Sequence, residues 1–62
     1  MLGEIKFFID GRYGFIIGTD LQSYYFSQED SPKASWPRYS PVEFDPIKTS
    51  QGLRAVNIRP VN

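Results

Sequence analysis

The sequence predicts an all-β fold. Three observations carry this: apolar and polar residues alternate over short stretches, turn-forming glycine and aspartate separate those stretches, and no helical apolar period lasts beyond about two turns. The 62 residues form one domain over 1–62, and a chain this short buries only roughly 60% of the surface its unfolded form exposes. Without cysteine or histidine there is neither a disulfide nor a Cys/His zinc site to staple it, so packing alone must hold the core.

A first strand is expected over 2–8, then a turn at Asp10-Gly11, a second strand over 13–17, a turn at Gly18-Thr19-Asp20 and a third strand over 21–27. These three make a meander. Residues 28–37 interrupt the pattern: Glu29-Asp30-Ser31-Pro32 and Trp36-Pro37 are loop chemistry, with prolines that deny donors to a ladder and room for one short helical turn. A fourth strand over 41–45 alternates apolar with charged residues, 48–52 reads as a polar turn, and a fifth strand covers 53–61. On that last strand period two puts Val56 and Ile58 on one face and Asn57 and Arg59 on the other, while Pro60 suits an edge or a strand end. Five short strands, three plus two around a longer connection, suit a Greek-key barrel of the OB type. Its expected core is Ile5, Phe8, Ile16, Val42, Phe44, Val56 and Ile58.

Seven Lys and Arg balance seven Asp and Glu, so no long-range positive field gathers polyanions, and any nucleic-acid binding must rest on local arrangement. Apolar runs of at most three residues exclude a transmembrane helix, and the amino terminus lacks a secretory pattern. A soluble, cytoplasmic monomer with no metal, cofactor or membrane partner is the expectation. Val61-Asn62 at the close of the fifth strand fits either a natural end or one domain of a longer protein.

Seven of the ten aromatic residues lie between Phe7 and Phe26. A small core cannot take them all, so some rings stand on the surface. Gly3-Glu4-Ile5-Lys6-Phe7-Phe8, Gly11-Arg12-Tyr13-Gly14-Phe15-Ile16, Val42-Glu43-Phe44 and Gly52-Leu53-Arg54-Ala55-Val56-Asn57-Ile58 together resemble, in order and spacing, the cold-shock domain family. That resemblance implies a five-stranded OB-like barrel binding single-stranded RNA or DNA on aromatics of its second and third strands. On this chain it points to Phe7, Tyr13 and Phe15 as base-stacking residues, with Lys6 and Arg12 near the backbone of the strand. Gly14 between the two rings is a place where a backbone or a base can approach closely.

The third strand departs from the family, because Ser23-Tyr24-Tyr25-Phe26-Ser27 has no histidine. In an ungapped register Tyr25 takes the stacking position and Ser27 that of the histidine, with Tyr24 and Phe26 inside; one deleted residue exchanges the faces. The ungapped register is preferred because it buries Phe26 and leaves Tyr25 wet, at the cost of requiring a partner for the Tyr24 hydroxyl. In the connection, Trp36, Arg38 and Tyr39 have two readings, an outer wall of the binding surface or, for Trp36, a core plug between Pro32 and Pro37.

No Ser-His or Cys-His pairing, phosphate-cradling glycine loop or metal-ligand cluster is present, and the adjacent Glu29 and Asp30 suit the start of a helical turn or solvation, so catalysis is not expected. The two competing functions are single-stranded nucleic-acid binding, with passive RNA chaperoning as its extension, and a protein-interaction barrel using the same aromatic patch.

Overall fold

The computed structural model describes residues 1–9, 11–31 and 36–61. Its strands are β1 (Leu2–Ile9), β2 (Tyr13–Gly18), β3 (Ser23–Ser27), β4 (Pro41–Thr49) and β5 (Gly52–Pro60), with one 3-10 turn at Gln28–Asp30. They join edge to edge in the order β1-β2-β3-β5-β4, and β4 returns to β1, so the sheet closes into a barrel-like ring. Neighbours are antiparallel except β3 and β5, which meet in parallel through the pair Tyr25 and Arg54.

The all-β class and the five strands agree with the sequence reading, while several boundaries differ. β4 continues through Pro46 to Thr49 instead of stopping at Asp45, which reduces the expected polar turn to Ser50 and Gln51. β1 pairs only with Pro41, Val42 and Glu43, so the far half of β4 has an open edge on which a proline's missing N–H disrupts no ladder. β3 begins at Ser23, because Leu21 sits in the preceding turn with a φ of 65°. The first turn is expected partly on Asp10, which lies outside the described residues; beside it Gly11 has a φ of 75° and the Arg12 N–H donates to the Ile9 carbonyl at 3.0 Å.

Ile5, Ile16, Phe26, Val42, Phe44 and Ile58 are fully buried, joined by Tyr24, Trp36 and Ala55. Each large side chain removed from water contributes about 1.5–3 kcal/mol relative to exposure. Two expected core members are only half-buried, Val56 turned out of the core and Phe8 still packed against it, and β-bulges set both positions. In β5, Glu43 pairs with Arg59 and Asp45 with Val56, so Asn57 and Ile58 together oppose Phe44. Asn57 takes a φ of 53°, a left-handed conformation that asparagine tolerates better than most residues. The extra residue reverses the alternation: Ala55 and Ile58 point inward, and Val56 is only half-buried. In β1, Ile5 pairs with Ile16 and Phe7 with Phe15, leaving Lys6 as the additional residue. Ile5 therefore faces the core, and Phe8, half-buried, stacks on Phe26 with ring centroids 5.6 Å apart.

β2 and β3 adopt the ungapped register, with Gly14 opposite Phe26, Phe15 opposite Tyr25 and Ile16 opposite Tyr24. Tyr24 and Phe26 point inward. Gly14 faces inward too, so it admits no base. A methyl group there would lie 2.6 Å from the Phe7 carbonyl oxygen and 2.8 Å from the Phe26 ring. The buried Tyr24 finds its partner at the end of the ring, where its hydroxyl donates to Asp20 Oδ2 at 2.6 Å.

Gly14→Ala is expected to destabilise the fold by about 1–3 kcal/mol through overpacking. Urea unfolding reads this directly, and an unchanged midpoint would mean that the hairpin opens freely enough to admit the methyl group.

Chiefly through the Tyr24 hydrogen bond, Asp20 is held below the usual carboxylate range, and the same bond raises the Tyr24 hydroxyl above its ordinary value. Unfolded Asp20 takes up a proton more readily than folded Asp20. Its contribution to stability is therefore complete above about pH 4 and is lost as acid carries the pH down through the lowered native value. Tyr24 gives the opposite limb, complete below about pH 10 and lost as the pH rises through its raised native value. Asp20→Asn should flatten the acid limb of a stability curve measured by denaturant unfolding across pH; an acid limb as steep as in the parent protein would refute the assignment.

Candidate functional site

The bulge at Lys6 turns Phe7 outward, and period two along β2 and β3 does the same for Tyr13, Phe15 and Tyr25. All four side chains are half-buried, their inner edges packed on one another and the remainder open to solvent. Phe7 lies 5.4 Å from Phe15 and 6.2 Å from Tyr13, while Tyr25 lies 5.8 Å from Phe15 and 5.9 Å from Tyr13, centroid to centroid. The result is one continuous aromatic surface across three neighbouring strands, with each ring braced by at least two others. Such bracing fixes the rings before any ligand arrives, which lowers the entropy lost on binding.

Beside Tyr25 lies a polar cluster that the sequence reading missed. Arg54 Nη2 donates to Asp30 Oδ2 at 2.8 Å and, at a longer 3.3 Å, to Ser27 Oγ. The Ser27 hydroxyl and backbone N–H both donate to the same Asp30 oxygen at 3.2 Å. The guanidinium carbon stands 5.6 Å from the Tyr25 ring centroid, within cation–π range. Ser27 therefore occupies the expected position at the end of β3, opposite Tyr13, with its hydroxyl committed to Asp30. The local signal available was Ser27 followed three residues later by an acid, the spacing of a capping box around the short turn.

Between β3 and the projecting β4–β5 hairpin, next to Phe15 and Tyr25, is a cleft of about 370 Å³. Leu53 adds to its apolar wall, and Ser23, Thr49, Gln51 and Arg54 supply its polar groups.

Lys6 and Arg12 are exposed on either side of the rings in sequence, next to Phe7 and Tyr13. Arg38 joins that side in space: its Nε donates to the Lys6 carbonyl at 3.2 Å, and its guanidinium lies 5.4 Å from the exposed Tyr39 ring. Among the described residues Lys6, Arg12 and Arg38 make no salt bridge, whereas Arg54 pairs with Asp30, and Arg59 pairs with Asp45 and more loosely with Glu43. Among the described residues, three cations that make no salt bridge, Lys6, Arg12 and Arg38, thus stand next to the aromatic residues in sequence or in space.

Trp36 is the site residue that the structure removes from the surface. It is 5% exposed and belongs to the core, and its indole N–H donates to Ser31 Oγ. The plug reading is the one realised, with Pro32, its expected flank, outside the described residues. Only its edge, with Phe7, Phe8 and Arg38, reaches a shallow hollow beside the platform.

No protein-family model matches this chain, and comparison with curated proteins gives no match either.

Proposed function

We propose that this chain is a single-stranded nucleic-acid binding module, an OB-type Greek-key barrel of the cold-shock kind, that holds RNA or DNA by stacking bases on Phe7, Tyr13, Phe15 and Tyr25. The observation that carries the reading is the continuous surface of those four rings, facing solvent and bordered by Lys6, Arg12 and Arg38. Every base has a π-face, so a rigid aromatic sheet takes successive bases with little demand on sequence, each stack contributing about 1–3 kcal/mol. Lys6, Arg12 and Arg38, which make no salt bridge among the described residues, meet phosphates as the strand passes. Bases stacked on protein cannot stack in a hairpin, so binding competes with RNA secondary structure and the module acts as a passive, stoichiometric chaperone rather than an enzyme. The ring order, a three-stranded meander closed by a hairpin that returns to β1, supports the OB assignment.

The second reading seats a peptide on the same rings, favoured by the zero net charge and by the commitment of the Ser27 hydroxyl to Asp30. Chemical-shift mapping with a short pyrimidine strand separates the two. Shifts confined to β1, β2 and β3 around the four rings support strand binding; no response at high micromolar strand moves the assignment to protein binding.

Phe15→Ala should weaken strand binding by about 1–3 kcal/mol with the fold retained, as read by fluorescence titration alongside a thermal melt. Loss of the fold with no affinity to lose would make Phe15 a structural residue. With three cations meeting phosphates, log K should fall with log salt at a slope of about −2. A slope steeper than about −4 would contradict a mechanism dominated by stacking.

A further inference from the structure

The cleft beside Tyr25 has a feature that stacking alone does not use. Arg54 enters it as a planar donor, held on one side by Asp30 and standing by the Tyr25 ring. Among the described residues its Nε and Nη1 make no hydrogen bond, and the second Nη2 contact, to Ser27, is long at 3.3 Å. The guanidinium is therefore oriented by one strong charge-assisted bond, and an acceptor pair that takes over the long Nη2 contact to Ser27 meets that hydrogen together with a neighbouring Nη1 or Nε hydrogen as a fork. Phe15, Tyr25 and Leu53 give the cleft apolar walls suited to a flat ring.

We propose that this cleft takes one nucleobase of the bound strand and that Arg54 reads its edge, selecting guanine; the inference rests on the strand-binding function above. An arginine fork carries donors only, so it matches a base that presents two adjacent acceptors. Guanine does so with O6 and N7, the commonest specific arginine contact. Cytosine has a weaker equivalent in O2 and N3. Adenine sets a donor beside N7, and in thymine and uracil an N–H separates the two carbonyls, so these bases leave half of the fork unmatched. Asp30 is the positioning residue: it touches no base, and it holds the guanidinium plane at the mouth of the cleft through the 2.8 Å ion pair.

The test compares oligo-dT with the same strand carrying one central guanine, cytosine or adenine, by fluorescence titration of the folded protein. The parent protein should bind the guanine strand about fivefold to a hundredfold more tightly than the adenine strand, with cytosine between. Arg54→Gln should bring the guanine-to-adenine ratio to within about twofold of unity. Tyr13→Ala, outside the cleft, should weaken all four strands while keeping the ratio. Should Arg54→Gln fail to fold, Asp30→Asn leaves the cation in place but frees its plane, and the ratio should fall there as well. Equal affinity for all four strands in the parent protein, or a ratio that survives both Arg54→Gln and Asp30→Asn, overturns the inference while leaving strand binding intact. Absence of binding to any strand overturns both together.

Discussion

The pairing of Gly14 with Phe26 is the contact on which the remaining structure depends. A ring of five short strands has a narrow interior, and Phe26, fully buried, needs a position across the hairpin that carries no side chain. Gly14 supplies it, with the Phe7 carbonyl and the Phe26 ring closing over the place where a Cβ would stand. Once this pair is inside, period two leaves no freedom: Tyr13, Phe15 and Tyr25 must face out, and Tyr24 must go in beside Phe44, 5.0 Å from ring to ring. Slipping the register by one residue would press Phe26 against a large neighbour and draw Tyr25 inside, away from the Asp20 carboxylate that satisfies Tyr24.

Alternation alone does not complete the surface, because β1 and β5 must each send side chains to the face that strict period two would deny them. The bulge at Lys6 lets Ile5 and Phe8 both serve the interior while Phe7 turns out to meet Phe15. The bulge at Asn57 lets Ala55 and Ile58 both point inward, which releases Arg54 to the side of Tyr25. Both irregularities thus lie on the strands that flank the β2–β3 hairpin, and each delivers to its rim a residue that regular pairing would have buried. Departures from local regularity concentrate where a surface has work beyond packing.

This explains what the sequence disclosed and what it withheld. Tyr13, Phe15, Tyr25 and Phe7 were legible because their placement follows from alternation, a small core and the run Tyr13-Gly14-Phe15. Arg54 was not, because period two carried backwards from Ile58 through Asn57 places Arg54 inside with Val56, and only the left-handed turn of the backbone at Asn57 corrects it. Asp30 was visible as a turn residue but not as the partner of Arg54, since nothing local joins residues 24 apart in the chain. The far half of β4 was obscured by Pro46, which argues against a strand unless one edge is known to be open. Trp36 sits in a segment without periodicity, so the sequence left its core-plug and outer-wall readings both open.

The seam between β3 and β5 ties architecture to the proposed chemistry. A parallel contact of one residue pair offers few backbone hydrogen bonds, so the closure leans on side chains: the Tyr25 ring, the Arg54 guanidinium and the Asp30 carboxylate. Their ion pair is neither deeply buried nor fully exposed, which spares it both the desolvation penalty of a core pair and the full screening of a surface one. Because the strands touch at one pair only, they diverge beyond it, and the divergence is the cleft. The same arrangement makes a neutral chain compatible with the polyanionic strand proposed as its ligand. Arg54 pairs with Asp30 at the seam and Arg59 with Asp45 and Glu43 on β4, while among the described residues Lys6, Arg12 and Arg38, beside the aromatic surface, make no salt bridge. For the proposed strand binding, affinity depends on where the positive charge stands, and the net charge carries no information about that.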